Sequence, residues 1–237
     1  MSEPVRLNKY IAECGVCSRR EADRLIEQGS VKVNGVTATM GVKVTPEDEV
    51  IVSGKRLESP NSKVVLAYYK PVGITCTEKD KHADATLKDV FKYEVRVTYA
   101  GRLDKESEGL LLMTNDGELI DKLMRGKNNH EKEYLVKVTK PLPDDFKEKM
   151  EEGIFLRELN QKTKPCKVTI EGPYTFRIIL TQGLNRQIRR MCETLGLKVN
   201  GLMRTRIANI ELGKLRPGTY RRLTADELSE LYEIIGK

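Results

Sequence analysis

Apolar residues recur at two different periods along this chain, and the switch between them divides it into two regions. In the first, Leu7, Tyr10, Ile11 and Cys14 fall at helical spacing, and Ala22, Leu25 and Ile26 form a second helical face. Ser18-Arg19-Arg20-Glu21 precedes that second face as a capping-box pattern, and Gly29 ends it. Val31-Lys32-Val33 then runs into Asn34-Gly35, a strong two-residue hairpin signal, and Val42 to Val52 supplies further strand material. Two helices followed by a small sheet are predicted over residues 1–60. From Ser53 through Lys63 the chain is polar and turn-rich and reads as a linker.

Beyond Val64 the pattern turns to strands with helices between some of them. Strands are predicted over Val64–Tyr69, Val95–Tyr99, Leu110–Met113, Lys132–Val138, Lys167–Ile170, Phe176–Thr181 and around Arg204–Leu212. Helices are predicted over Leu87–Lys92, Glu118–Arg125, Asp144–Glu152, Arg186–Leu195 and Ala225–Ile235. Consecutive strands without regular intervening helices argue against a doubly wound sheet. They predict an α+β region over residues 64–237 with a mixed, largely antiparallel sheet flanked by helices.

Composition narrows the class of protein. At 237 residues the chain is long enough for one large domain or a large and a small one, either able to bury a core, and 39% hydrophobic with 32% charged residues argues against disorder. No apolar run approaches the roughly 18 residues a membrane helix needs, and Met1-Ser2-Glu3-Pro4-Val5-Arg6 begins no signal peptide. The expectation is a cytoplasmic monomer without a membrane partner, its five cysteines reduced. Cys14-Gly15-Val16-Cys17 is the one pattern with a metal or redox reading. Cys76, Cys166 and Cys192 stand singly, and His82 and His130 fit no ligand spacing with it, so a structural role is favoured and no metal is expected.

The net charge of +7 is concentrated in one place. Between Gly183 and Arg222 ten basic residues (Arg186, Arg189, Arg190, Lys198, Arg204, Arg206, Lys214, Arg216, Arg221, Arg222) face two acidic ones, Glu193 and Glu211, for a local +8. A solvated face usually mixes both signs, so this excess predicts a polyanionic partner, with nucleic acid favoured. Arg19 and Arg20 in the first turn of the second helix add to that reading. Positive charge there opposes the helix dipole at about 0.3–1 kcal/mol each, which contact with phosphate would offset.

The candidate chemistry lies between two predicted strands. Ala100-Gly101-Arg102-Leu103-Asp104-Lys105-Glu106-Ser107-Glu108-Gly109-Leu110-Leu111-Leu112-Met113-Thr114-Asn115-Asp116-Gly117 sets a carboxylate beside an arginine in a loop that feeds an apolar strand. Lys132-Glu133-Tyr134-Leu135-Val136-Lys137-Val138 alternates, which by itself makes Tyr134 a core tyrosine on the face of Lys132. Gln182-Gly183-Leu184-Asn185-Arg186-Gln187-Ile188-Arg189-Arg190-Met191 opens a helix whose buried face holds Ile188, Met191, Cys192 and Leu195, while Arg186, Arg189 and Arg190 project elsewhere. A guanidinium can hold a carboxylate in a bidentate fork, although a structural salt bridge would look the same.

In these three phrases the chain resembles the pseudouridine synthases, and within them the RsuA/RluB/RluE/RluF group. Arg186 before Gln-Ile-Arg and the phrase Asn129-His130-Glu131-Lys132-Glu133-Tyr134 look like that group, the latter like its RluF type. The resemblance implies that Asp104 is the essential catalytic residue, that Tyr134 stacks on the target uracil and helps move a proton, and that Arg189 pairs with the aspartate. Ile188 would lie beside the base, Arg102 would hold the flipped uridine, and Lys132, Arg186 and Arg190 would contact substrate. The first region, through Arg6-Leu7-Asn8-Lys9-Tyr10-Ile11-Ala12 and Ser18-Arg19-Arg20-Glu21-Ala22, resembles the S-four-type RNA-binding module. That likeness makes Arg6, Lys9, Arg19, Arg20, Arg24 and Lys32 candidate RNA contacts.

Isomerising uridine to pseudouridine retains every atom, so no cofactor is implied, and the chain has neither a Walker loop nor a Gly-x-Gly-x-x-Gly signature. Hydrolytic glycosidases use two carboxylates and a water, whereas one aspartate suits an enzyme that excludes water. Attack on the ribose, attack on the base and removal of a ribose proton are all compatible with a single aspartate. The implied substrate is a uridine in a stem-loop of large-subunit (23S) rRNA, with tyrosine tRNA as a second, because a broken stack makes flipping cheapest. The alternatives are a non-catalytic RNA-binding factor of ribosome assembly and the same chemistry on small-subunit rRNA.

Overall fold

In a computed structural model, residues 3–58, 62–77, 85–124 and 129–236 are described. They form two units, Met1–Val64 with Tyr93–Thr98 and Asn115–Gly117, and Val65–Lys92 with Tyr99–Thr114 and Glu118–Lys237.

The first unit begins with β1 (Val5–Arg6), α1 (Leu7–Glu13) and α2 (Arg19–Glu27). Leu7, Tyr10 and Ile11 of α1 and Ala22 and Ile26 of α2 are buried together with Val31, Val44, Val50 and Val52. The Ser18 hydroxyl accepts the Glu21 N–H at 3.2 Å, which starts α2 where the capping pattern puts it. The sheet follows as β2 (Val31–Val33), β3 (Val36–Thr37), β4 (Lys43–Val44), β5 (Val50–Val52) and β6 (Lys55–Arg56), with β3-β2-β5-β6 in that order and β4 paired to β1. Asn34 and Gly35, at φ 49° and 80°, make the two-residue turn between β2 and β3. The polar start of the linker is corrected. Ser53 and Gly54 take the same positive-φ pair, 48° and 80°, and close a second hairpin in which Val52 faces Lys55. The remaining linker phrase includes residues 59–61, which lie outside the described residues.

The second unit is built on a nine-stranded sheet. Its elements are β7 (Val65–Lys70), α3 (Leu87–Val90), β8 (Thr98–Ala100), β9 (Glu108–Thr114), α4 (Gly117–Met124), β10 (Lys132–Val138), α5 (Phe146–Glu151), β11 (Phe155–Leu156), a 3-10 turn (Arg157–Leu159), β12 (Gln161–Lys162), β13 (Lys167–Gly172), β14 (Thr175–Leu180), α6 (Gln187–Thr194), β15 (Val199–Ile207), β16 (Ile210–Glu211), β17 (Tyr220–Arg222) and α7 (Ala225–Ile234). The main order is β13-β14-β10-β15-β9-β7-β17, with β16 beside β15 and β8 beside β9. Of these pairings β15 with β9 is parallel, while β10 is antiparallel to both β14 and β15, as is β7 to β9 and β17. The architecture is therefore α+β with a mixed, largely antiparallel sheet. Two apolar cores stabilise it. One joins β10, β13, β14 and β15 to α5 and α6 through Val136, Phe176, Ile178, Met191 and Cys192, and the other joins β7 and β9 to α4 and α7 through Leu110, Leu112, Leu119 and Leu231. Burying each such side chain contributes about 1.5–3 kcal/mol.

Several boundaries differ from the periodicity. β15 begins at Val199, five residues before Arg204, and β17 and the β11–β12 hairpin had no apolar run to announce them. Arg186 is not part of α6 but caps it in the left-handed region, at φ 52°.

Candidate active site

Asp104 sits in the loop between β8 and β9 and is half-buried. Leu103 before it is buried, and the Ser107 N–H donates back to the Asp104 carbonyl at 3.0 Å, so the loop is a closed turn anchored in the core. Its carbonyl groups face inward to three buried cations. Lys70 Nζ, from the end of β7, donates to the Ser107 carbonyl at 2.7 Å and to that of Pro71 at 2.8 Å. Arg189 Nη2, from α6, donates to the Glu106 carbonyl at 3.0 Å and to the Ser107 hydroxyl at 3.3 Å, while its Nη1 reaches the Val199 carbonyl at 3.3 Å. Arg204, from β15, donates from Nε to the Leu110 carbonyl at 2.7 Å and from Nη1 to the Arg102 carbonyl at 3.3 Å.

Two expectations about the arginines change here. Arg189 does not project away from the core: it is 8% exposed, and it bonds the loop two and three residues past Asp104 rather than the aspartate's carboxylate. The local +8 is also not a single outward face. Arg204 is 2% exposed, and Arg206 is held by Glu131 at 2.9 Å and Glu133 at 3.5 Å. Arg221 pairs with Glu227 at 2.7 Å. Among the described residues of this run, Lys198, Lys214 and Arg216 are exposed and outside any ion pair.

Tyr134 lies on β10, half-buried against the core that contains Ile188, Val136 and Met191. Its register partner on β15 is Arg204, and Arg204 in turn is the partner of Gly109 on β9, directly after the Asp104 loop. One strand thus spans from the tyrosine to the aspartate loop. Lys132 is buried, with Nζ 3.3 Å from the His130 carbonyl, so it is an internal residue and not an outward contact. Burial, aided by the Arg204 charge, pushes the Lys132 ammonium below its ordinary range. Burial does the same to Lys70, opposed by Cys76 and Asp104 and reinforced by Arg204.

The outer rim is charged. The Arg186 guanidinium meets the Glu106 carboxylate at 2.7 Å, and this hydrogen bond holds the Glu106 carboxyl below the usual range. Asp104 adds to the field that raises Arg186. Holding a non-glycine residue in the left-handed region costs about 1–3 kcal/mol, a cost met here at the start of α6 beside the site. Arg190 turns to the Asn185 carbonyl at 3.1 Å and pairs with Glu158. Arg102 is exposed. The phrase before Tyr134 is tied into the fold: Asn129 accepts from Lys164 at 2.7 Å, and Glu133 pairs with Arg177 at 2.9 Å.

In the first unit Arg6, Arg19, Arg20, Arg24 and Lys32 are exposed, and Lys9 is partly so. Lys9 pairs with Glu13 at 3.7 Å and Arg24 with Glu21 at 3.1 Å. Cys14 donates to the Glu58 carbonyl at 3.3 Å, and burial pushes its thiol up to about 11, which suits a structural cysteine. His82 lies outside the described residues. Sequence reasoning missed Lys70 and counted Arg204 as surface. Lys70-Pro71 at a strand end was the available signal for the first; the second had none, because the predicted strand began at Arg204 and the structure starts it at Val199.

Comparison with known proteins gives a consistent set of relatives. The family model described as RNA pseudouridylate synthase matches residues 64–194, and that of the S4 domain matches residues 5–50. A "Dual-specificity RNA pseudouridine synthase RluF" of Escherichia coli is 51% identical over 98% of this chain and 79% of its own length. An "Uncharacterized RNA pseudouridine synthase" of Mycobacterium tuberculosis is 36% identical over 98% of this chain and 94% of its own. A crystal structure of a pseudouridylate synthase superposes with a TM-score of 0.70 at 33% identity, covering 96% of this chain and 99% of that one.

Proposed function

The chain belongs to the RNA pseudouridylate synthases, enzymes that isomerise uridine to pseudouridine in RNA, and from that premise we propose that Asp104 is its catalytic residue and a 23S rRNA stem-loop its substrate. An anticodon stem-loop of tyrosine tRNA is proposed as the second substrate; the words "dual-specificity" in the name of the Escherichia coli relative support a second RNA substrate without naming it. The observation that carries the assignment of Asp104 is a contrast within one loop. The carbonyls of Arg102, Glu106, Ser107 and Leu110 are each held by a buried cation, while the Asp104 carboxylate, within the field of Lys70 and Arg186, makes no hydrogen bond or ion pair among the described residues. A fold that binds the backbone so tightly and leaves the carboxylate free presents that carboxylate for chemistry.

The reaction breaks the N-glycosidic bond, turns the uracil and joins its C5 to the ribose. In this reading Asp104 acts on the ribose or base during bond cleavage, and Tyr134 stacks on the uracil and serves the proton that leaves C5. Ile188 packs beside the base, Arg189 fixes the loop, and Arg102 and Arg186 hold the flipped nucleotide from the rim. Flipping costs a few kcal/mol of lost stacking, so a looped uridine is cheaper to reach than one in a continuous duplex. Arg6, Lys9, Arg19, Arg20, Arg24 and Lys32 contribute phosphate contacts from residues 1–60, and residues 64–237 form the catalytic domain.

The test is to incubate the purified full chain separately with large-subunit rRNA, small-subunit rRNA and tRNA, and to map pseudouridine in each. Product in large-subunit rRNA and tyrosine tRNA is expected. Product confined to small-subunit rRNA would overturn the substrate and leave the chemistry standing.

A further inference from the structure

Arg204 lies beyond the stretch matched by the catalytic family model, in the middle of β15, with its side chain 2% exposed. Its backbone stands between the two halves of the site, in register with Tyr134 on one side and Gly109 on the other. At Gly109, with φ 105°, an added Cβ would come within 2.3 Å of the Arg204 carbonyl oxygen and 2.7 Å of its nitrogen. Only glycine lets the strands approach so closely.

From that position the guanidinium reaches both ends of the Asp104 loop, through the Arg102 and Leu110 carbonyls. The arrangement is costly for the fold. Nη2 is buried with no hydrogen-bond partner, no carboxylate pairs with Arg204 among the described residues, and Lys70 and Lys132 are cations close enough to repel it. An apolar side chain of similar volume would remove that buried charge, but it would also take a donor from the Arg102 and Leu110 carbonyls. What an apolar residue cannot do is donate in two directions at once, and the planar fork of arginine does that with little rotamer freedom to lose.

We propose that Arg204 is a positioning residue for the isomerisation: by bridging the Arg102 and Leu110 carbonyls it fixes the loop between them and holds Asp104 in its reactive place beside Tyr134. The proposal rests on the reading of Asp104 as catalytic. Because Arg204 is enclosed, it touches no phosphate, and its effect falls on the reaction step and not on RNA binding.

The experiment compares the full-length wild type, R204K, R204Q and D104N for kcat, KM, RNA affinity and thermal melting, using an rRNA fragment that the wild type modifies. R204K keeps the charge but replaces the rigid Nε and Nη1 donors by one ammonium on a flexible stem, so kcat should fall about 10–100-fold, as for a small misplacement of a reacting group. Its KM and RNA affinity should stay within about twofold. R204Q should fall at least as far, and if R204Q does not fold, R204K decides alone. Wild-type kcat in folded R204K overturns the proposal, and so does a loss carried by KM. A lowered melting temperature with normal kcat below it means a purely structural role and also overturns it. D104N separates the two readings: turnover by D104N defeats the catalytic assignment itself, whereas an inactive D104N beside a fully active R204K defeats only the role of Arg204.

Discussion

The two units of this protein use the same cationic side chains in opposite ways. In the catalytic unit Lys70, Arg189 and Arg204 turn inward and spend their donors on backbone carbonyls around one aspartate. In the first unit Arg6, Arg19, Arg20, Arg24 and Lys32 are exposed; Arg24 pairs with Glu21 three residues away, and the Arg19 guanidinium lies beside Gly117. A buried cation loses its hydration and gains a fixed place, so it acts through geometry. An exposed cation keeps its hydration and acts through its field, which reaches a phosphate chain before contact and is screened by salt. The inward set should therefore govern kcat and the outward set KM.

The strongest test of that division is Asp104→Asn, which keeps the shape and removes the charge of the group the inward set surrounds. Turnover should drop by at least about 10³-fold, the scale of losing a group central to the chemistry, with RNA affinity retained. A variant that turns over normally breaks the comparison at its root. Tyr134→Phe comes next. It keeps the stacking ring and loses the hydroxyl, so kcat should fall about 10²-fold or more if the hydroxyl serves proton transfer, with KM little changed. Full activity would return Tyr134 to a core residue.

The sequence made the elements of both units legible where periodicity was clean, and the site only in part. Lys132–Val138 alternates and is a strand over those residues, and Ser18 caps α2 with its hydroxyl, while the Glu21 carboxylate accepts from Arg24. β17 was not legible because Tyr220-Arg221-Arg222 is held by pairing with Leu66, Ala67 and Tyr68 and not by a face of its own. Ser53-Gly54 looked like a linker because turn residues read alike whether they join strands or domains. The charges were the hardest part. A count of arginines gives the sum of a field but no direction for any side chain, and burial in β15 and α6 reverses the use of Arg204 and Arg189. Loop carbonyls are absent from any motif, so the partners of those arginines had no trace in the residue pattern.

The outward set gives a smaller effect of a different kind. Replacing Arg19 and Arg20 together by Gln should raise KM about tenfold at moderate salt, roughly 1.4 kcal/mol of lost binding, and leave kcat unchanged. Both residues also sit unfavourably in the first turn of α2, so the same variant should be slightly more stable than the wild type, by about 0.3–1 kcal/mol per charge removed at low ionic strength. Tighter RNA binding or a lower kcat in this variant would show that the two sets do not divide the work in this way.

The smallest predicted effect sharpens the boundary between the sets inside the catalytic unit. Each phosphate neutralised on single-stranded or duplex RNA adds roughly 0.7–0.9 to the slope of log affinity against log salt. Lys214 and Arg216 are exposed and outside any ion pair among the described residues, so Lys214→Gln and Arg216→Gln should each lower the slope by about that increment if they meet phosphate. Arg206 is two residues from Arg204 and carries the same charge, but Glu131 and Glu133 already occupy it. Arg206→Gln should leave the slope unchanged, although it removes as much formal charge as either of the others. Binding titrations of the three variants across a salt series measure this directly. Equal slope changes in all three would mean that RNA responds to total charge alone, and that the inward or outward placement of a cation does not decide its use.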